Sequence, residues 1–196
     1  MYTILELLGT AAFAVSGAMV GIRKKMDLLG IAVLGMTTAV GGGIIRDVII
    51  GETPPMAFRH PIYALMSLVI SLIVFIPPIR NRIHTESMIM SFIDAVGLGV
   101  FTVTGVMAGS DFDNVFLQVF LGTVTGVGGG VLRDIFAMEK PTIFVKHFYA
   151  VASILGALLC CLLAPLGENI AMIAGIVLVV VLRVLAAKYK WNLPKA

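Results

Sequence analysis

Two arginine–aspartate pairs stand out in this chain, each set behind three glycines. Gly41-Gly42-Gly43-x-x-Arg46-Asp47-x4-Glu52-x-Pro54 recurs with the same spacing as Gly128-Gly129-Gly130-x-x-Arg133-Asp134-x4-Glu139-x-Pro141, and Arg59-His60 is answered by Lys146-His147. Each copy lies in a long apolar run. Ionised groups inside apolar spans are costly and usually mark ion or solute pathways. The sequence shows no nucleophile–base constellation, phosphate-cradling loop or HExxH-like motif, so catalysis is not expected. Cys160 and Cys161 are the only cysteines and sit together in an apolar run. They read as small packing residues, not as a disulfide or metal site. His60 and His147 read as interfacial residues in opposite leaflets, where they cannot share a metal. No metal or cofactor is expected.

The elements that must hold these residues follow from composition. Of 196 residues, 59% are hydrophobic and 13% charged, against about 25% charged in a soluble domain. This indicates an all-α polytopic membrane protein with one transmembrane domain over 1–196. The formal charge of +3 is modest and falls in loops, so a nucleic-acid partner is not expected. The N-terminus lacks the basic region of a secretory signal, and the first apolar segment is expected to be a genuine span. At about 20 residues per span, helices are predicted over 2–21, 27–50, 61–79, 88–109, 113–137, 146–164 and 169–188. Asp27 and Asn114 fall where N-caps belong, Pro61 suits a first turn, and Pro77-Pro78 and Pro165 close the third and sixth helices.

The chain also repeats outside the motif. Residues 12–21 resemble residues 100–109, and Glu6 aligns with Asp94 in that register. The expected organisation is repeat one over 2–79, repeat two over 88–164 and an extra helix over 169–188. Three spans per repeat turn the second copy upside down, the inverted arrangement common in transport proteins. Loop charges orient it. Arg23, Lys24, Lys25, Arg80, Arg82, Lys140, Lys146, Lys188, Lys190 and Lys195 follow the odd spans, whereas Asp111, Asp113 and Glu168 follow spans four and six. The positive-inside rule places the N-terminus outside and the C-terminus in the cytoplasm. Arg59 is the one dissenting loop charge.

Each triplet costs roughly 3 kcal/mol against alanine in a helix interior. Gly35-x3-Ala39-x3-Gly43 and Gly122-x3-Gly126-x3-Gly130 form small-residue packing stripes. The stripes leave Gly41, Gly42, Gly128 and Gly129 unexplained. Packing alone and packing with a helix kink or break therefore both stay open. Adjacent residues do not face each other on a helix, so Arg46 and Asp47, like Arg133 and Asp134, should need partners elsewhere. Glu6 shares a leaflet with Arg46, and Asp94 with Arg133, which predicts Glu6–Arg46 and Asp94–Arg133 clusters at opposite ends of a pathway. The alternative is that each arginine is capped by carbonyls or snorkels to lipid phosphate. Ser16, Thr38, Thr104 and Thr125 could line a narrow pore, although a helix can satisfy such hydroxyls itself.

The double motif, the two inverted three-helix repeats and the seventh helix resemble the prokaryotic branch of the trimeric intracellular cation channels, the TRIC family. The same bacterial group also carries the name of a glycine-transporter domain. The resemblance implies a homotrimer in a prokaryotic inner membrane, with a pore in each protomer for potassium and other monovalent cations. It places kinks at Gly41–Gly43 and Gly128–Gly130 and puts Arg46 and Arg133 beside the path. The lipid-binding basic motif of animal members is missing here. Arginines beside a cation path would repel the ion unless Glu6, Asp47, Asp94 or Asp134 compensate. Failing that, the site would suit an anion or a zwitterion, and the rival reading is a carrier for glycine or another small amino acid.

Overall fold

The computed structural model describes residues 2–80, 88–145 and 148–191. Arg82, Lys146, His147 and Lys195 lie outside the described residues. The main helices are α1 (Tyr2–Arg23), α2 (Leu28–Ile50), α3 (Ile62–Phe75), α4 (Met88–Ala108), α5 (Val115–Phe136), α6 (Tyr149–Leu163) and α7 (Glu168–Tyr189). Asp27 and Asn114 cap α2 and α5, accepting from Gly30 N at 2.7 Å and Leu117 N at 3.1 Å. Among the described residues, six helices are long and apolar enough to cross a membrane: α1, α2, α4, α5, α7, and α6 with its continuation to Leu166.

The third helix differs from the sequence expectation of 61–79. It has 14 residues, about 21 Å at 1.5 Å per residue, against a hydrocarbon core of about 30 Å. Pro77 is the cause. A residue before proline avoids the helical region, and Ile76 is extended at φ −63°, ψ 126°. A separate turn, Pro77–Arg80, follows. Leu65, Val69, Leu72 and Ile73 are exposed on α3, an apolar face suited to lipid or to another subunit.

α1 packs on α2 and α4, α2 on α5, and α4 on α5 and α7, while α6 joins α5 to α7. Phe13 and Phe101 meet at the centre with ring centroids 5.2 Å apart. The glycine triplets do not break their helices, since α2 and α5 run continuously through them. Packing explains the glycines that the stripes left over. A Cβ on Gly42 would strike the Thr125 carbonyl, and one on Gly129 would strike the Thr38 carbonyl. Gly128 lies against Gly42, with Cα 3.1 Å from its Cβ position, and a Cβ on Gly41 would strike Leu132. The α2–α5 crossing therefore depends on the residues set off the stripe. Gly43, on the stripe, is the spacious one, with Arg46 Nη2 nearest at 3.9 Å.

Candidate functional site

Two buried ionic clusters form where α2 and α5 end. In the first, Arg46 turns onto its neighbour, with Nε 2.8 Å and Nη2 2.7 Å from Asp47 Oδ1. The second repeats this, with Arg133 Nε 2.9 Å and Nη2 2.8 Å from Asp134 Oδ1. This corrects the expectation that adjacent residues cannot partner. The helix-face rule compares Cβ positions, and the long arginine stem lets its guanidinium fold back over one residue. The other aspartate oxygen has a second task. Asp47 Oδ2 accepts from Met56 N at 2.7 Å, and Asp134 Oδ2 accepts from Thr142 N at 2.7 Å. Each aspartate thus fixes its arginine and caps the helical turn that follows, Met56–Arg59 or Thr142–Val145.

The expected acidic partners divide. Asp94 joins Arg133 through an ion pair of 2.7 Å. Ser16 completes the group, with its Oγ 2.6 Å from Arg133 Nη1 and 3.1 Å from Asp94 Oδ1. Glu6 makes no ion pair with Arg46 among the described residues. Its Oε2 accepts from Tyr63 Oη at 2.7 Å instead. Glu6 and Arg46 still share a wall. With Thr10, Gly43, Asp47, Tyr63 and Phe101, they line a cavity of about 40 Å³, room for a few waters by volume. Glu6 is only 5% exposed and Arg46 4%.

The hydroxyls behave differently from one another. Thr38 and Thr125 donate to Leu34 O and Leu121 O, each at 2.6 Å, and Thr104 donates to Phe101 O at 3.3 Å. Each is satisfied by its own helix and fully buried. Only Ser16 of these four reaches an ionic cluster.

Sequence reasoning missed Tyr63, Tyr149 and Arg183. Arg183 enters the second cluster from α7, its Nη2 3.9 Å from Asp94 Oδ2 and its guanidinium carbon 4.5 Å over the Tyr149 ring. It is 5% exposed. The signal was available, because a single arginine inside an otherwise apolar span asks for a buried partner.

Outside the spans, Glu139 bridges Arg23 at 2.6 Å and Lys24 at 2.8 Å. Partial burial would raise its carboxyl, but Lys24 and Arg23 outweigh that and hold it below the usual glutamate range. Its counterpart Glu52 pairs locally with Arg59 at 2.9 Å, so the dissenting loop charge is neutralised on the spot.

Continuous apolar helices enclosing paired charges define a multi-pass α-helical membrane protein with a polar interior. The chain belongs to the prokaryotic TRIC family. The family model described as "Glycine transporter" matches it twice, over 3–77 and 91–165. It is 40% identical over 164 residues to a UPF0126 membrane protein of Deinococcus radiodurans, covering 82% of this chain and 75% of that one. It is 33% identical to the UPF0126 inner membrane protein YadS of Escherichia coli K12, covering 97% and 93%. Solved structures agree. A structure reported as a basis for conductance through TRIC cation channels superposes with TM-score 0.89 at 37% identity, covering 100% of this chain and 97% of the other. The TRIC orthologue from Rhodobacter sphaeroides does so with TM-score 0.87 at 32% identity, covering 97% and 98%.

Proposed function

We propose that the protein is a monovalent cation channel, selective for potassium over chloride, with a path inside each protomer running between the two clusters. One observation carries this reading: Asp47 already neutralises Arg46, whereas Glu6 lines the same cavity with no ion pair among the described residues. The cavity wall is therefore net negative, and the repulsion expected from arginines beside a cation path is removed. The kinship to structures described as TRIC cation channels supports the same conclusion.

Homotrimeric assembly in an inner membrane rests on that kinship, and the exposed apolar face of α3 suits contact with lipid or a second subunit. The inverted repeat is supported by reciprocal contacts. Gly42 meets the Thr125 carbonyl as Gly129 meets that of Thr38, and Phe13 packs on Gly97 as Phe101 packs on Gly9. Reciprocity of this kind is the mark of a two-fold axis. With α3 as a seventh, short span, the N-terminus is outside and the C-terminus cytoplasmic. Any bend the path needs at Gly41–Gly43 or Gly128–Gly130 is made within a continuous helix. The Asp94–Arg133–Ser16 group serves as the cytoplasmic gate.

Recordings of purified protein in planar bilayers under a potassium chloride gradient test this. The expected reversal potential lies near the potassium value. Reversal at the chloride value overturns the reading. So does an absence of current beside saturable glycine counterflow, which would favour a carrier that uses Arg46 and Glu6 to hold the two ends of a zwitterion.

A further inference from the structure

The two clusters are built from equivalent residues, yet they differ in charge. The first holds Glu6, Arg46 and Asp47, which sum to one negative charge. The second holds Asp94, Arg133 and Asp134, and to these α7 adds Arg183, which brings the sum to zero. α7 follows the second of the two family-model matches, and among the described residues the first cluster receives no equivalent side chain from its own repeat. The physical state differs in parallel. The first cluster faces a cavity of about 40 Å³. In the second, Tyr149 Oη lies 2.9 Å from the Cβ position of Gly130, the counterpart of spacious Gly43, and Arg183 lies across the Tyr149 ring.

We infer that Arg183 is the closing charge of the second cluster: it supplies the positive charge that cancels Asp94 and keeps cations and water out of that end. The inference rests on the cation-channel reading for its effect on current, but not for its effect on hydration. Asp94 has two oxygens to share. Oδ1 is held by Arg133 and Ser16, and Oδ2 faces Arg183. Without Arg183, the second cluster would carry the same net charge as the first, and Asp94 would present an oxygen to an incoming cation. The extra helix thus turns a duplicated cation-receptive site into a closed one, giving a symmetric fold an asymmetric conductor.

The test compares full-length wild type with Arg183→Lys, Arg183→Gln and the double variant Asp94→Asn/Arg183→Gln. The double variant lacks the same arginine but restores neutrality, and asparagine keeps a carbonyl oxygen for Arg133. Two readouts are taken in parallel: potassium current in bilayers, and hydroxyl-radical labelling of Tyr149 with Tyr63 as internal reference. Arg183→Gln should raise current about fivefold or more, the factor that one unit charge about 4 Å away is worth even in bulk water. It should also raise Tyr149 labelling, which should stay near wild type in Arg183→Lys and in the double variant. Unchanged Tyr149 labelling in a folded Arg183→Gln protein overturns the inference, whatever the current does. Labelling that rises equally in the double variant also overturns it, because a void rather than a charge would then be responsible. If Arg183→Gln does not fold, folding of the double variant with wild-type labelling supports the charge account, and its failure to fold overturns it. Absence of cation current in wild type counts against the channel reading alone.

Discussion

The repeated aspartates do most with least. Asp47 and Asp134 each hold a buried guanidinium with one oxygen and cap a following turn with the other. Removing one leaves a buried arginine short of a partner, which typically costs about 3–5 kcal/mol. Asp134→Ala should therefore lower the melting temperature severely. Glu52→Ala, which breaks an exposed pair with Arg59, should cost less than about 1 kcal/mol; thermal unfolding in detergent compares the two. This dual use was only half legible in the sequence. The conspicuous Arg-Asp dipeptide flagged the site, but helix-face spacing argued against pairing because it ignores the reach of an arginine stem. Glu139 offers a pH test outside the membrane. Lys24 and Arg23 hold its carboxyl below the ordinary range, so its contribution is present above the unfolded glutamate value of about 4.3. That contribution should fade as pH falls through the lower folded value. The difference in melting temperature between wild type and Glu139→Gln should accordingly be largest near neutrality and shrink in strong acid.

Among the helices, the glycine triplets show how local cost becomes tertiary gain. Roughly 3 kcal/mol of helix propensity per triplet is given up so that α2 and α5 can cross with backbone against backbone at Gly42, Gly128 and Gly129. The stripe rule found Gly130, which packs against Tyr149, but it chose spacious Gly43 and passed over the glycines of the crossing because it assumes one packing face. Here α2 also meets α5 around another side, and only the three-dimensional crossing shows which glycine has no room. Consequently Gly42→Ala and Gly129→Ala should each destabilise by about 1–3 kcal/mol or abolish folding, the cost of overpacking a close contact. Gly43→Ala should fold at least as well as wild type, yet alter transport by intruding on the cavity beside Arg46. Melting curves and bilayer currents on the same preparations separate these outcomes. A folded, well-assembled Gly42→Ala protein would refute the crossing argument. The short α3 was legible in principle, since Pro77 marks where its helix must stop, but counting apolar residues to 79 let composition override backbone geometry.

At the scale of the whole chain, duplication was the strongest sequence signal, and the family model likewise matches twice, over 3–77 and 91–165, while the difference between the halves was not visible. Equivalent residues suggested equivalent ion pairs, yet Glu6 goes to Tyr63 and Asp94 goes to Arg133. Sidedness has a geometric counterpart. Glu139, after α5, reaches Arg23 and Lys24, at the end of α1, so these two helix ends share one face. Tyr2, Ser110 and Glu168 line a common recess, so the start of α1, the end of α4 and the start of α7 share another. Cysteines introduced at Lys24 and Lys190 should be labelled only from the cytoplasm, and one at Asp111 only from outside; external labelling at both lysine positions would reverse the proposed orientation. The energetic counterpart is a coupling pattern. Asp94 and Arg133 are in direct contact, so the stability effects of Asp94→Ala and Arg133→Ala should fall short of adding by more than about 1 kcal/mol, because the second loss removes a charge already stranded by the first. Asp94→Ala with Arg46→Ala should add within about 0.5 kcal/mol, since the two belong to different clusters and share no partner. Glu6 with Arg46 tests the remaining case. They share a cavity without an ion pair, so their coupling in stability should be weaker than that of Asp94 with Arg133. A double-mutant cycle that found the Glu6–Arg46 term equal to or larger than the Asp94–Arg133 term would mean that Glu6 is committed to Arg46 and not free to meet a cation.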